Sequence, residues 1–515
     1  MSDAIVKNLS FGKEASDKVF AGIEKLTRAV SSTLGASGKC VLLEDGNGRP
    51  VITKDGVTVA DSVILLDPVE NMGATLLKEA ARKTVKEAGD GTTTATVLAY
   101  SILKNALALE NPNTREIKDG INSAVEKVIK YLEDISIKID DEMLDQIATI
   151  STNNEPKLGK LVGDAFRSVG NTGIVMMETS ADPNCSIEIV EGVQCDMGLT
   201  NSHFITNPQK KTAELDNPLV LLIESPVDTI RQIQSVLEYV IKNSKPLLII
   251  GDLNQNVLSA LAMNKVKGNI KINVINAPMY GINKKEIFDD LALLTGATLI
   301  NEDLGDDMDL IQPEHLGTCV KSITSHEETI LHIEESNEEI LKIIDSVKEE
   351  LKKNNPPHTV IKLEKRLARL TAKIAIVKVG ANSEIELKET ADRVEDAICA
   401  TKAAIKEGIV PGGGIALLNA SHNIDTFSTG EEILLDSIRA PFKTILDNAG
   451  IDYAPLETIS KVGHGLNVIT GETVDMIKAG IIDPLLVTKS ALRNAASVAT
   501  TILSTDCVIN NLRIQ

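Results

Sequence analysis

The sequence predicts a multidomain α/β and α protein, with an α/β domain inserted between two mostly helical portions that together make one discontinuous domain. Three observations predict this. Apolar residues recur at helical spacing near both ends of the chain, and strand-like runs alternate with helical segments in the middle. Two glycine-rich runs, Gly89-Asp90-Gly91-Thr92-Thr93-Thr94 and Gly412-Gly413-Gly414, flank that middle, each suited to bringing bare backbone against phosphate.

From Phe11 to Thr33 the residues Val19, Ile23, Leu26 and Val30 fall on one helical face. Val41-Leu42-Leu43, Gly-Asn-Gly-Arg-Pro and Val51-Ile52-Thr53 then read as a hairpin. The stretches 72–135 and 428–450 are helical. Between them Leu219 to Ile223, Leu247 to Ile250 and Ile270 to Ile275 are strand-like and alternate with helices expected over 228–243 and 253–265. Glu338 to Lys353 and Ile361 to Leu370, broken by Asn354-Asn355-Pro356-Pro357, read as a solvated helical hairpin with Ile340, Ile343, Ile344, Val347 and Leu351 facing inward.

The chain has 515 residues, enough for about three domains with cores of their own. Aromatic residues make up only 2% and Trp is absent, so those cores must be aliphatic. A formal charge of −20 argues against nucleic acid or an anionic membrane surface as the main partner. No apolar run reaches the length of a membrane span, and Met1 to Ser10 lacks the apolar core of a secretory signal, which leads to the expectation of a cytoplasmic protein. The six cysteines are scattered without a CxxC pair, a pattern of reduced thiols rather than a disulfide or zinc framework. His326 and His332, beside Glu327 and Glu334, read as solvated surface.

The glycines of the first run permit a sharp turn, and the segment from Thr94 reads as a helix start, whose free N–H groups suit phosphate oxygens. Asp90 would repel a bare phosphate unless a hard cation such as Mg²⁺ lay between them. The competing reading is a helix capped by Asp90, with three threonines bonding locally. Gly35-Ala36-Ser37-Gly38-Lys39 ends like a Walker A loop, but its glycines are too close together and Cys40 stands where the metal-binding hydroxyl belongs. With no GxGxxG at either glycine cluster, the chain fits neither a P-loop protein nor a Rossmann or kinase domain.

Several further runs carry a name. Thr33-Leu34-Gly35, Thr53-Lys54-Asp55-Gly56-Val57, Glu70-Asn71-Met72-Gly73-Ala74, Gly89 to Thr96, Arg393-Val394-Glu395-Asp396-Ala397, Glu407 to Leu417 and Ile482-Asp483-Pro484 resemble, in order and spacing, a group I chaperonin of the GroEL type. The resemblance covers nearly the whole chain. It implies a mostly helical, discontinuous equatorial ATPase domain over 1–134 and 407–515, a small intermediate hinge domain over 135–190 and 375–406, and an α/β apical domain over 191–374. It also implies a homo-oligomer built as a seven-membered ring, single or double, a ring-shaped co-chaperonin lid, and unfolded proteins as clients. ATP and Mg²⁺ are the implied cofactors, with K⁺ as a further candidate.

By this resemblance Thr33, Leu34, Gly35, Ala36 and Lys54 line the phosphate side, and Asp90, Gly91, Thr92, Thr93 and Thr94 hold the phosphates and, through Asp90, the metal. Gly413, Asn467, Val468, Ile469 and Asp483 surround the nucleoside. Asp396 arrives from the intermediate domain to position or activate the attacking water, with Asp55 nearby, since hydrolysis needs a carboxylate within hydrogen-bond reach of that water. The competing reading of Asp396 is a solvated carboxylate on a charged helix. Clients would meet Leu199, Phe204, Leu237, Leu258, Ala262 and Met263, of which Leu237 and Leu258 also fit a buried core. Gly192 and Gly408 are the expected hinges.

The sequence departs from the family pattern in several places. His203 and Gln234 replace apolar residues of the client face. Ala36 and Ser37 replace a Pro and a Lys or similar pair, while Val468 and Ile469 replace small residues beside the nucleoside. Lys138 stands for a hinge proline and Ala372-Lys373 for a glycine pair, which stiffens that pivot. The segment from Gly450 to Asn467 is shorter than usual, and the chain reaches Gln515 without a Gly/Met-rich tail. The leading functional reading is an ATP-dependent folding chaperonin. The alternative is a divergent paralogue that acts as a holding or structural ring with little ATPase, and an unrelated small-molecule phosphotransferase lacks an acceptor motif.

Overall fold

A computed structural model describes residues 7–511 except 45–47, 49, 110–112, 153–154, 171–173, 181, 196, 209, 278–281, 327, 334–337, 352–362, 364–365, 368–372 and 453–460. The expected turn at Asn354 to Pro357, Ala372, most of the Ile361 to Leu370 helix, and Glu327 and Glu334 lie outside the described residues. So do most of the hairpin turn and part of the Gly450 to Asn467 segment.

The chain divides into two compact units, one comprising residues 1–167, 177–186 and 377–515, the other residues 168–176 and 187–376. In the first unit the helices Gly12–Ser31, Pro68–Ala88, Thr92–Leu107, Thr114–Ile135, Thr429–Ser437 and Leu485–Leu503 share one aliphatic core. Val19, Ile23, Leu26 and Val30 are buried along one face of the first of these, as their spacing requires. Leu98, Ile102 and Leu103 fill the centre from Thr92–Leu107. Small residues allow close approach: a Cβ built on Gly73 would lie 2.1 Å from the carbonyl oxygen of Val19.

The strand Lys7–Phe11 pairs antiparallel with Cys507–Asn511, so the two ends of the described chain close one edge of this unit. The predicted hairpin forms, with Val41–Glu44 antiparallel to Pro50–Thr53. A shorter ribbon pairs Ile409–Pro411 with Ile482–Pro484, opposing Val410 and Asp483. That ribbon puts the glycines that follow Pro411 beside the Asp483 strand, with the Gly412 N–H donating to the Ile481 carbonyl at 2.9 Å.

The second unit contains a parallel sheet in the order Leu299–Ile300, Leu219–Ile223, Leu247–Ile250, Ile272–Ile275, with Gly317–Thr318 added antiparallel to Leu219–Ile223. Leu247 to Ile250 are fully buried, which explains their unbroken apolar run. The helices Gln234–Asn243 and Gln255–Val266 pack on it. A second group of strands pairs antiparallel in the order Ser186–Cys195, Thr329–His332, Lys321–Thr324, Ala213–Asp216. The helix Glu338–Leu351 forms with Ile344 and Val347 buried and Ile343 half-buried. No described helix is long and apolar enough to cross a membrane.

Candidate nucleotide site

Asp90 occupies a junction one residue deep between two glycines. Gly89, at φ 75°, ends the helix Pro68–Ala88 and donates to Val85, and Gly91, at φ 93°, precedes the helix Thr92–Leu107. Both conformations are left-handed, where side chains are disfavoured. Neither has room for one: a Cβ on Gly89 would lie 2.4 Å from Cys399 Cβ, and one on Gly91 would lie 2.7 Å from Val487 Cγ1. Asp90 accepts from the Gly91 N–H and is not the side-chain cap of the Thr92 helix, whose cap is Gly91. The first turn of that helix therefore keeps free N–H groups.

Around this junction several other segments converge within the first unit. Asp55 caps the helix Gly56–Ser62, accepting from Val57 N at 3.1 Å and Thr58 N at 2.7 Å. Gly56 presses on the threonine turn, since a Cβ there would stand 2.5 Å from Thr93 Oγ1 and 2.6 Å from Thr92 Oγ1. Thr33 Oγ1 lies 3.4 Å from Thr93 Oγ1, which joins the Thr33 to Gly38 turn to the same place. Lys54 Nζ donates to the Gly35 carbonyl at 3.3 Å. Leu34 and Gly35 are half-buried in this turn and Ala36 is exposed. Asn448, which sequence reasoning did not single out, fixes the turn by donating to Ser31 O and Leu34 O, both at 2.9 Å.

The helix Glu384–Glu407 delivers Asp396. The Asp396 carboxyl is raised well above the usual carboxylate range, first by burial and then by the charges of Asp90, Asp55, Asp392 and Glu395. Asp90 is raised by burial and by Asp55. Burial, with Asp55 close by, pushes Asp392 up to about 6. Burial and Asp90 push Asp483 up to about 7, although the backbone N–H groups of Gly413 and Gly414 hydrogen-bond it and pull the other way. Burial of the Cys399 thiol beside Glu395, Asp396 and Asp90 raises it to about 12. Desolvated carboxylates that face one another must share protons or a cation. Asp392 went unnoticed in the sequence, although it precedes Asp396 by four residues and so shares its helix face.

Of the residues assigned to the nucleoside, Asp483 lies in the ribbon of Ile409–Pro411 and Ile482–Pro484 and Gly413 just after it, while Asn467 ends a strand of a second ribbon, His464–Asn467 with Glu472–Asp475, and Val468 and Ile469 follow it. Gly413, at φ 64°, faces Met476, whose Cε would lie 3.1 Å from an added Cβ. Asn467 accepts from Ile469 N at 3.0 Å and Thr470 N at 3.4 Å, so its side chain shapes its own turn. Val468 packs against the cluster of Ile415, Leu418, Phe442, Leu446 and Met476, while Ile469 is exposed.

Among the described residues no group of three or more His, Cys, Asp or Glu side chains is arranged to hold a metal ion. The donor set around Asp90 fits a hard ion that takes one or two carboxylates and completes its shell with phosphate and water oxygens, as Mg²⁺ does.

In the second unit Phe204 is fully buried, Leu237, Leu258 and Ala262 are buried, and Leu199 is half-buried against the same core. Of the six residues expected to meet clients, Met263 alone is largely exposed, at 59%. His203 and Gln234 bond locally, to Asn201 Oδ1 at 2.7 Å and Glu238 Oε1 at 2.7 Å. Gly192 lies within a strand, where a Cβ would stand 2.0 Å from Ile374 Cδ1. Gly408 ends the helix Glu384–Glu407 at φ 89°, ψ −168°, a conformation open to glycine. Lys373 begins the strand Lys373–Val379.

The model of the TCP-1/cpn60 chaperonin family matches residues 26–513. Two structures of the chaperonin gp146 from the bacteriophage EL 2 (Pseudomonas aeruginosa), both solved in the presence of ATP-BeFx, share the fold. Crystal form II aligns with a TM-score of 0.71 at 22% identity, covering 99% of this chain and 100% of that one. Crystal form I aligns with a TM-score of 0.64 at 22% identity, covering 98% and 99%. With a family match that spans nearly all of its length and a fold shared from end to end, the chain belongs to the TCP-1/cpn60 chaperonin family.

Proposed function

We propose that this chaperonin is an ATPase that captures unfolded proteins and encloses them for folding in a ring of its own copies. The observation that carries the reading is the convergence of Asp55, Asp90, Asp396 and Asp483, from four distant parts of the sequence, on the Gly-Asp-Gly turn that opens the Thr92 helix. Magnesium-bound ATP would supply the phosphoryl group, with part of its negative charge offset by the metal. Thr92, Thr93 and Thr94 offer N–H and hydroxyl groups to phosphate oxygens, with Thr33, Leu34, Gly35, Ala36 and Lys54 on the other side. Asp90 is the carboxylate for the metal. Asp396, raised by its neighbours, becomes a general base or water-orienting group once a cation offsets Asp90. Gly413 leaves room for the nucleoside, Asp483 accepts from its hydroxyl groups, and Asn467, Val468 and Ile469 border it.

The family resemblance supports the equatorial, intermediate and apical division at 1–134 with 407–515, 135–190 with 375–406, and 191–374, with Gly192 and Gly408 as pivots. It also supports a seven-membered ring, single or double, a co-chaperonin lid and K⁺ as a further candidate cofactor, and the scattered cysteines support a cytoplasmic setting. Client capture is supported by exposed Ile241, Met263, Val266 and Leu310 in the second unit. Phe204, Leu237, Leu258 and Ala262 would back this surface from beneath. Steady-state ATP turnover, measured with and without an unfolded client, tests the proposal. Turnover that depends on Mg²⁺ and responds to client supports it. No turnover, with client still held, would leave a holding ring.

A further inference from the structure

Lys78 is a buried lysine that lies outside every site described above. It projects from the middle of the helix Pro68–Ala88, and its ammonium donates to the carbonyl oxygens of Val63 at 2.6 Å and Asp61 at 3.2 Å. These carbonyls belong to the C-terminal end of the helix Gly56–Ser62, which needs acceptor-satisfying donors and carries partial negative charge. Asp61 does not pair its carboxylate with Lys78, because Arg82 takes it at 2.7 Å. A buried ammonium held chiefly by backbone carbonyls is a costly arrangement to maintain, and burial lowers its affinity for the proton.

What the arrangement accomplishes is positional. The short helix clamped by Lys78 begins at Asp55, whose carboxylate caps it, and the long helix that carries Lys78 ends at Gly89, next to Asp90. The N-terminal end of the short helix is fixed separately, by the close approach of Gly56 to Thr92 and Thr93. One end of each helix therefore faces the nucleotide site, and one ammonium ties their remote parts together.

We infer that Lys78 is a positioning residue that fixes Asp55 relative to Asp90 and the threonine turn by anchoring the far end of the Gly56–Ser62 helix. This rests on the proposed ATPase site, in which Asp55 stands beside Asp90 and Asp396. The ion pair of Arg82 with Asp61 is more exposed and secondary to it.

The test uses the full chain with Lys78→Met, which keeps the stem and removes the donors, Lys78→Gln, which keeps a shorter donor, and Lys78→Arg, which restores a cation. Three quantities are read: kcat and KM for ATP hydrolysis, the affinity for magnesium-bound ATP, and amide hydrogen exchange without nucleotide. In Lys78→Met kcat should fall on the order of tenfold, with KM and ATP affinity within about twofold of the parent, because a small misplacement of a reacting group costs rate before binding. Exchange at Val57 and Thr58, the amides that bond Asp55, should rise at least about tenfold while the Thr92–Leu107 core amides stay protected. Lys78→Arg should recover most of both effects, and if Lys78→Met fails to fold, Lys78→Gln takes its place.

Unchanged kcat with unchanged exchange at 57 and 58 overturns the inference. A uniform loss of protection across the unit, with kcat and affinity falling together, also overturns it, since that is an ordinary structural role. If the parent shows no ATP turnover the proposed function fails, and the exchange readout alone still decides whether Lys78 holds Asp55.

Discussion

The carboxylate of Asp483 accepts a hydrogen bond from the backbone N–H of Gly413, seventy residues earlier in the chain. The bond is local to the ribbon of Ile409–Pro411 and Ile482–Pro484. It aims an acid and a bare backbone at the same space. Asp483→Ala should therefore lower ATP affinity on the order of tenfold, the cost of one charge-assisted hydrogen bond and its neighbour. Equilibrium titration with a fluorescent ATP analogue measures it.

Asp396→Ala should leave ATP binding within about twofold of the parent and slow hydrolysis by about a hundredfold or more, the usual contribution of general acid–base catalysis. Single-turnover hydrolysis of bound ATP separates the two. Equal turnover in variant and parent would remove Asp396 from the mechanism.

The carboxylates of Asp392 and Asp483 have folded-state values raised to about 6 and about 7. A raised acid binds its proton more tightly in the folded than in the unfolded chain. Its stabilising contribution is complete below the unfolded value near 3.8, and it is lost as pH rises through 6 to 7. Nucleotide-free protein should therefore melt at a lower temperature at pH 8 than at pH 5.5, and Asp392→Asn with Asp483→Asn should reduce that difference, leaving the part due to Asp90 and Asp396. Thermal unfolding across this range checks it, and an upward slope in the parent would refute the assignment.

Gly89→Ala combines a left-handed φ with a Cβ that would meet Cys399, three residues beyond Asp396 on the same helix. A loss of about 1–3 kcal/mol of stability is expected. Slower ATP hydrolysis should accompany it, because relief of the clash moves the Asp396 helix. Chemical denaturation and turnover on one preparation give both numbers.

Met263→Ser and Leu237→Ser should separate surface from core. The first replaces an exposed side chain and should weaken capture of an unfolded client while leaving the melting temperature unchanged. The second empties a buried site and should cost about 2–4 kcal/mol. Binding of a chemically unfolded client, measured by light scattering, and thermal melts distinguish the two, and undiminished capture by Met263→Ser would count against that surface.

Periodicity made much of the fold legible. Val19, Ile23, Leu26 and Val30 are the buried face of their helix, and the runs at 219–223, 247–250 and 272–275 are adjacent parallel strands. The hairpin of Val41–Glu44 with Pro50–Thr53 was legible from turn residues between two apolar runs, whereas its register, Val41 opposite Thr53, was not. The candidate client face was harder to read, since spacing alone cannot tell an apolar residue that faces water from one that faces a sheet, and Leu237 and Leu258 pack into the core around the sheet. At the candidate nucleotide site the motif residues stood out. Asn448, Asp392 and Lys78 did not, because each acts on a backbone carbonyl or a charge contributed by a remote segment, and no local pattern records such a partner.

The pairing of Lys7–Phe11 with Cys507–Asn511 has a consequence for biosynthesis. Residues 187–376 are contiguous, so their unit has all its material soon after it leaves the ribosome. The other unit must wait, with its early helices and their apolar faces uncovered, until the helix Leu485–Leu503 and the strand behind it have emerged. During that interval the newborn polypeptide resembles the unfolded proteins that chaperones shelter.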